Sequence, residues 1–452
     1  MAKTVEDIKK LFGNKNITLM GLGLLGRGVG DAKFFAEAGA HLTITDLKTA
    51  EELKPSIDRL KKRFPNIVYH LGEHALEDFE EKDMIISAPN APLDSPFLLH
   101  ARDLNIPIER DASLFAKLTD ATIVGVTGTR GKSTTTHFIY EILKAAGKTV
   151  YLGGNERDTA TLPLIYKANK GDVVVLELDS WQLQGFAEDK ISPHISIWTN
   201  FLSDHMNYYK GDMERYFEDK AAIARFQKSE DTFITTPEIA KAIEERFGPL
   251  ASTSVTDATF PSDWKLGIPG EHNRRNAALA RAAALALGVS DKIIRATFES
   301  FTGLPGRLEF LGEKNGIAFY NDSNSTTPDA TMVALETMAS LRTPDGKPRP
   351  LVLIAGGNDK DLDFKKLTPQ IEAQAHYAVF LNGTATDKIL SILNKDFPHE
   401  TARSMDEAFR KAMAHAEAGA VILLSPAATS FGLFKNEYDR SDQFRALVAA
   451  VR

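Results

Sequence analysis

Residues 125–133, GVTGTRGKS, combine three glycines with a lysine and a serine in an order that suits phosphate binding. Backbone N–H groups of a glycine-rich loop and of the first turn of a following helix converge on phosphate oxygens. Lys132 can reach the outer phosphates as a point charge, and the hydroxyl of Ser133 can ligate Mg²⁺. We therefore predict a nucleotide triphosphate site, formed by Gly128, Gly131, Lys132, Ser133 and Thr134.

The elements around this loop support the prediction. A β-branched run at 122–127 predicts a buried parallel strand, and an apolar stripe after Lys132 predicts a helix that ends at Gly147. Val126 stands where the strict GxxxxGK[ST] pattern has its first glycine, so the alternative is a glycine-rich turn with its lysine in solvent. Because strand, loop and helix follow one another in the required order, we favour the nucleotide site.

Glu177, His205 and Lys220 are further residues that could do chemistry. Glu177 lies in the apolar run VVVLELD, where it is either an edge-strand charge or a buried acid directed at a metal; the nearby phosphate loop favours the metal. His205 follows Asp204 after a predicted strand, and alone it indicates a solvated loop histidine more readily than a ligand. The helical pattern around Lys220 predicts an ordinary solvated lysine.

A second glycine pattern lies in the first region of the chain. A predicted strand runs into GLGLLG at 21–26, a helix follows, and a strand at 41–45 ends at Asp46. Taken alone, this dinucleotide fingerprint with its ribose-binding acid would suggest a dehydrogenase that binds a nicotinamide cofactor. What it safely predicts is a Rossmann-like unit whose loop faces a phosphorylated or nucleotide-like ligand. A predicted strand and loop at 85–90 share the same sheet edge.

Strands and helices alternate through the rest of the chain. Asn273 and Asn276, at the start of a long alanine-rich helix, are caps or ligand contacts. A hairpin is predicted around Asn315-Gly316, and polar loops follow predicted strands at 321–328, 356–360 and 425–430. The predicted fold class is α/β with three domains: a Rossmann-like domain at 1–113, a central phosphate-loop domain with a parallel sheet at 114–303, and a C-terminal Rossmann-like domain at 304–452.

The composition excludes several classes of function. The 452-residue chain has a formal net charge of −7 and no long basic run, so nucleic acid is a poor partner. It has no cysteine, which excludes disulfides, thiolate metal sites and a cysteine nucleophile. No apolar run approaches the ~20 residues of a membrane span, and the N-terminus mixes charges too early for a signal peptide. We expect a cytoplasmic, monomeric protein.

Ten motifs in one order resemble a known family. They are GLGLLGRG at 21–28, GVTGTRGKSTTT at 125–136, GGN at 153–155, LELDSWQLQ at 176–184, TNFLSDHM at 199–206, GEHNRRNAALA at 270–280, TGLPGRLE at 302–309, NDSNSTT at 321–327, GGNDKDLDF at 356–364 and LLSPAATSFGLFKN at 423–436. In this order they resemble the Mur ligases, and among them the glutamate-adding, MurD-type branch. The resemblance runs through all three regions.

The resemblance implies an ATP-dependent ligase of peptidoglycan precursor synthesis. Such an enzyme phosphorylates the alanine carboxylate of UDP-MurNAc-L-alanine with ATP, and the amine of glutamate then attacks the acyl phosphate. We favour D-glutamate as the incoming amino acid. The alternative is L-glutamate, because a branch that adds the L isomer has a similar DSxxTTP pattern, which residues 323–328 fit.

The resemblance also implies roles for individual residues. The implied catalytic residues are Lys132, Lys220, His205 and Lys360. Ser133, Glu177, His205 and a carbamate on Lys220 would hold two Mg²⁺ ions, and the implied ATP contacts are Asn273, Asn276, Arg307 and Asp322. The UDP part would bind at Leu24, Leu25, Asp46 and Lys48, the muramoyl-alanine at Asn155, Ser180 and Gln182, and glutamate at Thr326, Lys360, Ser430 and Phe431.

Three departures from the family pattern cluster where the amino acid should bind. Asn324 replaces a usual lysine, Gly306 replaces a usual histidine, and Glu437-Tyr438 replace a pattern with an aromatic residue. They leave the stereochemistry of the added glutamate open. Asn324 alone also keeps open a nucleotide-gated binding or regulatory protein that has lost ligation, whereas the intact residues Glu177, His205, Lys220 and Lys360 argue against it. Folylpolyglutamate-type enzymes share the middle domain but lack a Rossmann-like first domain in this position.

Overall fold

The computed structural model describes residues 2–92, 94–155, 159–343 and 345–451, with Asn207 described by its backbone alone. Its internal contacts divide the chain into two units. The larger unit comprises residues 1–265 and 272–299, and the smaller comprises residues 266–271 and 300–452. Among the described residues, no helix has the length and apolar character needed to cross a membrane.

The first sheet of the larger unit has five parallel strands in the order β3-β2-β1-β4-β5. The strands are β1 (Asn16–Met20), β2 (His41–Asp46), β3 (Val68–Leu71), β4 (Met84–Ser87) and β5 (Ile108–Glu109). The helices are α1 (Val5–Phe12), α2 (Arg27–Glu37), α3 (Lys54–Lys61), α4 (Pro96–Asp103) and α5 (Asp111–Leu118). The chain reverses its direction of winding between β1 and β4, so the crevice for a ligand lies at their carboxyl ends.

The second sheet of this unit has six strands in the order β11-β10-β9-β6-β8-β7, and its strand pairs are parallel. The strands are β6 (Thr122–Thr127), β7 (Val150–Gly154), β8 (Val173–Glu177), β9 (Ile195–Trp198), β10 (Thr232–Ile234) and β11 (Thr253–Val255). The helices are α6 (Lys132–Ala145), α7 (Ser180–Asp189), α8 (Met206–Tyr209), α9 (Met213–Arg225), α10 (Pro237–Phe247), α11 (Glu271–Ala286) and α12 (Asp291–Ser300).

One hydrophobic core runs through both sheets of the larger unit. The ring of Phe34, on α2, lies 5.5 Å from that of Tyr166, in the short 3₁₀ helix Leu162–Tyr166. A methyl group at Gly30 would lie 2.1 Å from the Cβ of Ala160, so α2 lies directly against this segment. Because the two sheets share buried apolar surface, they form one unit.

The smaller unit contains a six-stranded mixed sheet in the order β12-β13-β17-β14-β15-β16. The strands are β12 (Glu309–Lys314), β13 (Ile317–Asn321), β14 (Leu351–Gly356), β15 (Tyr377–Leu381), β16 (His399–Ala402) and β17 (Val421–Leu424). Only the β12–β13 pair is antiparallel among the described strand pairs. The helices are α13 (Pro328–Ala339), α14 (Leu367–Gln374), α15 (Thr384–Ile392), α16 (Met405–Ala414) and α17 (Glu437–Ala450).

The predicted fold class is confirmed. The hairpin turns at Asn315 and Gly316, whose φ angles of 54° and 76° suit the tight turn that the Asn-Gly pair predicts. The apolar runs at β8, β14, β15 and β17 are buried along their whole lengths, as expected for strands covered on both faces. The boundaries at 113/114 and 303/304 remain a prediction.

Candidate active site

The phosphate loop connects β6 to α6, and two of its glycines are required by close approach. Gly128 and Gly131 have φ angles of 144° and 83°, which side chains disfavour. A methyl group at Gly128 would lie 1.9 Å from Thr199 Oγ1, and one at Gly131 would lie 2.4 Å from Asn276 Oδ1. The loop is therefore enclosed by β9 on one side and α11 on the other. Ser133 and Thr134, in the first turn of α6, are half-buried.

Asn200 holds this loop, and the sequence analysis did not assign it a role. Its Oδ1 accepts a hydrogen bond from the backbone N–H of Arg130 at 2.9 Å, and its Nδ2 donates to the backbone oxygen of Arg130 at 3.0 Å. The N–H of Thr129 donates to the backbone oxygen of Asn200 at 3.0 Å. Both peptide groups around Arg130 are therefore fixed by the segment that follows β9.

Lys132 and Lys220 converge on one backbone oxygen. The ammonium of Lys132 donates to the oxygen of Gly128 at 3.0 Å and to that of Thr129 at 3.2 Å. Lys220 donates to the same Gly128 oxygen at 3.0 Å and to Thr127 Oγ1 at 3.2 Å. Lys220 is only 1% exposed, so the solvated lysine that its helical pattern predicts is wrong. It lies on the buried face of α9, four residues after Tyr216.

The environment of Lys220 disfavours a positive charge. Among the described residues, no carboxylate forms an ion pair with it. The ring of Tyr216, whose centre lies 5.0 Å from its nitrogen, attracts a cation but offsets only part of the cost of burying the charge. Burial, and then the charge of Lys132, lower the pKa of Lys220 well below the usual value for a lysine. Since both nitrogens lie 3.0 Å from one oxygen, they are at most twice that distance apart. At that separation two unit charges repel by about 3 kcal/mol at an effective dielectric constant of about 20.

Glu177 and Asn155 are brought together at the end of β8. This strand lies between β6 and β7, and Glu177 is 3% exposed, which makes it a buried acid and excludes the edge-strand alternative. The N–H of Asn155 donates to the backbone oxygen of Glu177 at 2.7 Å, and Asn155 Nδ2 lies 3.5 Å from Glu177 Oε1. A buried carboxylate at the carboxyl edge of a phosphate-loop sheet suits a divalent cation.

His205 lies beside this sheet edge and is partly buried. Its ring lies 4.6 Å from that of Trp181, and its φ of 57° places it in the left-handed region before α8. Burial lowers the pKa of His205 more than the carboxylate of Asp204 raises it, so the imidazole is neutral and able to ligate a metal at neutral pH. Among the described residues, no group of three His, Cys, Asp or Glu is placed to hold a metal. The predicted metal ligands would not form such a group, because they comprise only one Glu and one His, together with a serine hydroxyl and a modified lysine.

Ser180 and Gln182 are almost fully buried at the start of α7. Gln182 is part of a capping box: its N–H donates to Asp179 Oδ1 at 2.9 Å, and its Oε1 accepts from the N–H of Asp179 at 3.3 Å. The pattern D-x-x-Q in the sequence is the signal for this cap. Asn273 and Asn276 are buried in the first turns of α11, and Asn276 packs against the phosphate loop.

The glycine loop of the first sheet is closed by Asp46. The carboxylate of Asp46 accepts hydrogen bonds from the N–H groups of Leu22 (2.9 Å), Gly23 (3.0 Å) and Lys48 (2.9 Å). Asp46, which the dinucleotide fingerprint would assign to ribose binding, therefore stabilises the glycine loop through these hydrogen bonds. Leu24 and Leu25, at the tip of the loop, are 48% and 41% exposed and present an apolar surface.

In the smaller unit, Asp322 is buried and held by three donors. The donors are the N–H of Leu308 at 3.1 Å, the hydroxyl of Ser425 at 2.8 Å and the hydroxyl of Ser325. Burial raises the pKa of Asp322 to about 6 against the effect of these hydrogen bonds. Arg307, next to Leu308, is exposed.

Two of the departures from the family pattern touch each other. A methyl group at Gly306 would lie 3.1 Å from Asn324 Oδ1, and the N–H of Asn324 donates to the backbone oxygen of Gly306 at 2.9 Å. Gly306 has a φ of 71°, which favours glycine. The two changes therefore form one local arrangement.

The loops that carry the predicted glutamate contacts are tied by two residues that the sequence analysis missed. Arg440, which is fully buried on α17, donates to the backbone oxygens of Ser323 at 2.8 Å and Ala428 at 3.2 Å. Asn358 donates to the backbone oxygen of Phe431 at 2.6 Å. The predicted contacts themselves differ in exposure: Ser430 is buried, Thr326 is half-buried, and Lys360 and Phe431 are exposed.

Comparison with known proteins identifies the family to which a chain with these features belongs. Residues 126–259 match the Mur ligase middle domain, and residues 306–428 match the Mur ligase glutamate ligase domain. A UDP-N-acetylmuramoylalanine–D-glutamate ligase of Roseiflexus sp. (strain RS-1) is 33% identical, over 96% of this chain and 98% of its own length. One from Treponema pallidum (strain Nichols) is 31% identical, over 99% of this chain and 100% of its own.

The chain belongs to the Mur ligase family. It is an ATP-dependent enzyme that forms an amide bond, as the resemblance implies. Among solved structures, UDP-N-acetylmuramate-alanine ligase MurC from Thermotoga maritima has a TM-score of 0.62 at 20% identity, covering 97% of this chain and 100% of that one. E. coli FolC in complex with ADP has a TM-score of 0.56 at 19% identity, over 75% of this chain and 92% of that one. At these identities the likeness concerns the fold alone.

For this Mur ligase we predict that Asn200→Ala weakens the use of ATP. The two hydrogen bonds that fix the peptide groups of Arg130 are lost, so the loop is less well ordered for phosphate. We expect kcat/KM for ATP to fall roughly thirtyfold, which corresponds to about 2 kcal/mol. Asn200→Asp, which keeps the acceptor but cannot donate, should have an intermediate effect. An unchanged kcat/KM in Asn200→Ala would contradict this role.

A second prediction concerns His272, in the first turn of α11. Burial, and then the charge of Arg275, lower the pKa of His272 to about 4. As the pH falls below 6.5 the unfolded chain takes up this proton before the folded chain does, so stability is lost on acidification. Between pH 7.5 and 5 the loss is about 2 kcal/mol. His272→Gln should remove this part of the pH dependence of chemical unfolding, whereas His376→Gln, at an exposed position, should retain it.

Proposed function

We propose that the protein joins D-glutamate to the alanine carboxylate of UDP-MurNAc-L-alanine, with conversion of ATP to ADP and phosphate. The observation that carries this proposal is similarity over the whole chain, at 31–33% identity, to enzymes named for this reaction. The intact phosphate loop, with Lys132 at the start of α6, supports the use of ATP. The reaction is a step of peptidoglycan precursor synthesis.

The first chemical step transfers the γ-phosphoryl group of ATP to the alanine carboxylate. Both reactants are anions, so positive groups must offset their repulsion. Lys132 and the N–H groups at the start of α6 would hold the phosphates. A carboxylate oxygen bonds to the γ-phosphorus, the bond to the β-phosphate oxygen breaks, and ADP leaves. The acyl phosphate is then attacked at carbon by the neutral amine of glutamate, and phosphate and a proton are released.

The donor set at the end of β8 fits Mg²⁺. We propose that the hydroxyl of Ser133 and the carboxylate of Glu177 hold one ion and that His205 contributes to a second. The burial of Glu177 and the lowered pKa of His205 support this assignment. Mg²⁺ bound there would screen the charge between the carboxylate and the phosphates. Asn155, which lies beside Glu177, would orient that carboxylate.

We propose that Lys220 carries a carbamate. Its nitrogen is buried next to the charge of Lys132 and has no carboxylate partner among the residues that the structure describes, and these conditions favour the uncharged, nucleophilic amine. The amine nitrogen would bond to the carbon of CO₂ and lose a proton, which leaves an anionic oxygen donor. A group that repels Lys132 would thereby become one that attracts it.

We propose that the first sheet binds the UDP part of the substrate. Exposed Leu24 and Leu25 offer apolar surface to the flat base, and Lys48 offers charge to the phosphates. The hydrogen bonds of Asp46 support a bracing role for this residue, because its carboxylate already satisfies the loop N–H groups. Asn155, with Ser180 and Gln182 behind it, would line the path of the muramoyl-alanine.

We propose that glutamate binds in the smaller unit at Thr326, Lys360, Ser430 and Phe431, with ATP contacts from Asp322. The ties made by Arg440 and Asn358 support a single pocket, because they connect the loops that carry these residues. The second candidate is addition of L-glutamate. The DSxxTTP-like pattern at 323–328 favours it, and the departures at Gly306 and Asn324 leave room for it. The enzyme would act as a cytoplasmic monomer.

The deciding assay is phosphate release from ATP with Mg²⁺ and UDP-MurNAc-L-alanine, run in parallel with D-glutamate and L-glutamate. We expect release that depends on the D isomer. Lys132→Ala should reduce it to background, because the charge that holds the outer phosphates is lost. Dependence on L-glutamate would establish the second candidate, and no release with either isomer would overturn the function.

Lys220→Ala tests the carbamate. We expect activity to fall to background and to return in part when acetate or formate is added, because a small carboxylate can replace the lost anionic oxygens. Lys132→Ala serves as the control and should not respond to these salts, since it lacks a cation. Absence of any rescue in Lys220→Ala would contradict the carbamate.

A further inference from the structure

Arg110 is a buried cation that has no carboxylate partner among the described residues. It lies between β5 and α5, where the chain passes from the first sheet to the second, and it is 1% exposed. Its guanidinium donates to the backbone oxygens of Ala88 at 3.0 Å and Pro89 at 2.7 Å, and to Gln184 Oε1 at 2.9 Å. A buried charge without a direct counter-ion is costly, so its hydrogen-bond partners must offset that cost.

Gln184 forms hydrogen bonds with both Arg110 and Asp219. Its Nε2 donates to Asp219 Oδ2 at 2.7 Å, and Tyr209 donates to the same oxygen at 2.9 Å. A guanidinium can only donate and a carboxylate can only accept, so the amide oxygen of Gln184 must face Arg110 and its nitrogen must face Asp219. Arg110 and Asp219 are thus an ion pair with one amide group inserted between them. We call Arg110, Gln184 and Asp219 the relay.

The two ends of the relay lie on segments that lead to different proposed binding sites. Ala88 and Pro89 follow β4, at the carboxyl edge where the ligand of the first sheet is expected. Asp219 immediately precedes Lys220 on α9, and Lys220 donates to the phosphate loop at Gly128. The relay therefore connects the segment after β4 with the helix that reaches the phosphate loop.

The packing around the relay leaves little freedom for independent movement. A methyl group at Gly185 would lie 2.6 Å from Ser113 Oγ and 3.1 Å from the Cβ of Arg110. Helix α7, which carries Gln184, is therefore in direct contact with the start of α5. A displacement of Ala88 and Pro89 must move Arg110 or break its hydrogen bonds, and Arg110 cannot move without Gln184.

We propose that Arg110, Gln184 and Asp219 are positioning residues that couple the UDP-linked substrate site to the adenine nucleotide site. A ligand that orders the segment after β4 fixes the relay and α9, so a second ligand at the phosphate loop loses less conformational freedom on binding. By linkage, the nucleotide strengthens substrate binding by the same factor. This inference rests on the proposed function, because it takes UDP-MurNAc-L-alanine as the ligand of the first sheet.

The test is calorimetric titration of the full-length enzyme with ADP and Mg²⁺, without and with saturating UDP-MurNAc-L-alanine. In the wild type we expect the substrate to tighten ADP binding by roughly fivefold or more. Gln184→Leu, of similar volume, should reduce the effect to less than about twofold while each ligand alone binds within about threefold of wild type. A role in stability alone would lower the melting temperature and leave the coupling factor unchanged.

A second variant and a matched control make the test specific. Asp219→Ala cuts the relay at its far end without touching buried Arg110, and it should also abolish the coupling. Lys210→Ala removes an exposed ion pair in which Lys210 Nζ lies 2.9 Å from Asp94 Oδ2. This pair joins the segment after β4 to the turn between α8 and α9 without involving the relay. Lys210→Ala should leave the coupling unchanged.

The outcomes separate this inference from the proposed function. Binding of both ligands without coupling in the wild type, retained coupling in Gln184→Leu or Asp219→Ala, or an equal loss in Lys210→Ala would overturn the relay alone. Failure of UDP-MurNAc-L-alanine to bind the wild type would overturn the proposed function and the relay together.

Discussion

The backbone oxygen of Gly128 is the point on which the chemistry of the larger unit depends. It accepts hydrogen bonds from both Lys132 and Lys220, so two groups of like charge are held close together in a largely buried place. There are two ways to relieve this repulsion. Lys132 can turn to the phosphates of a nucleotide, or Lys220 can lose its charge and become an anion by reaction with CO₂. Each way is also part of the proposed mechanism, so the same electrostatic constraint favours both.

The same kind of hydrogen bond stabilises a loop at the carboxyl ends of the strands in all three sheets. In each case a side chain at or just after the end of one strand forms a hydrogen bond with the backbone of the loop that follows a neighbouring strand. Asp46, the last residue of β2, holds the loop after β1; Asn200, after β9, holds the loop after β6; and Asn358, after β14, holds the loop after β17. The loops after β1 and β6 are rich in glycine and have few side chains of their own to order them, so a polar residue from the neighbouring strand supplies the order.

The sequence predicted those features that depend on local pattern. The phosphate loop, the buried strand that ends at Glu177 and the Asn315-Gly316 hairpin each follow from residue type and spacing. The burial of Lys220 could have been found, because it shares the buried face of α9 with Tyr216 and Ala224. The capping role of Gln182 could also have been predicted, from the D-x-x-Q pattern at 179–182. Arg440, Asn358 and the Arg110 relay could not be found, since their partners lie far away in the sequence and are set by the sheet order.

The contact between Gly306 and Asn324 limits how the proposed amino-acid pocket can be altered. A side chain at 306 would meet the amide of Asn324 and would adopt a left-handed backbone, and a longer side chain at 324 would need space beside 306. Each position thus decides what the other can accept, so their mutational effects are not additive. Exchange of this pocket with that of a related ligase therefore requires the two segments, 302–309 and 321–328, to be transplanted together as one module.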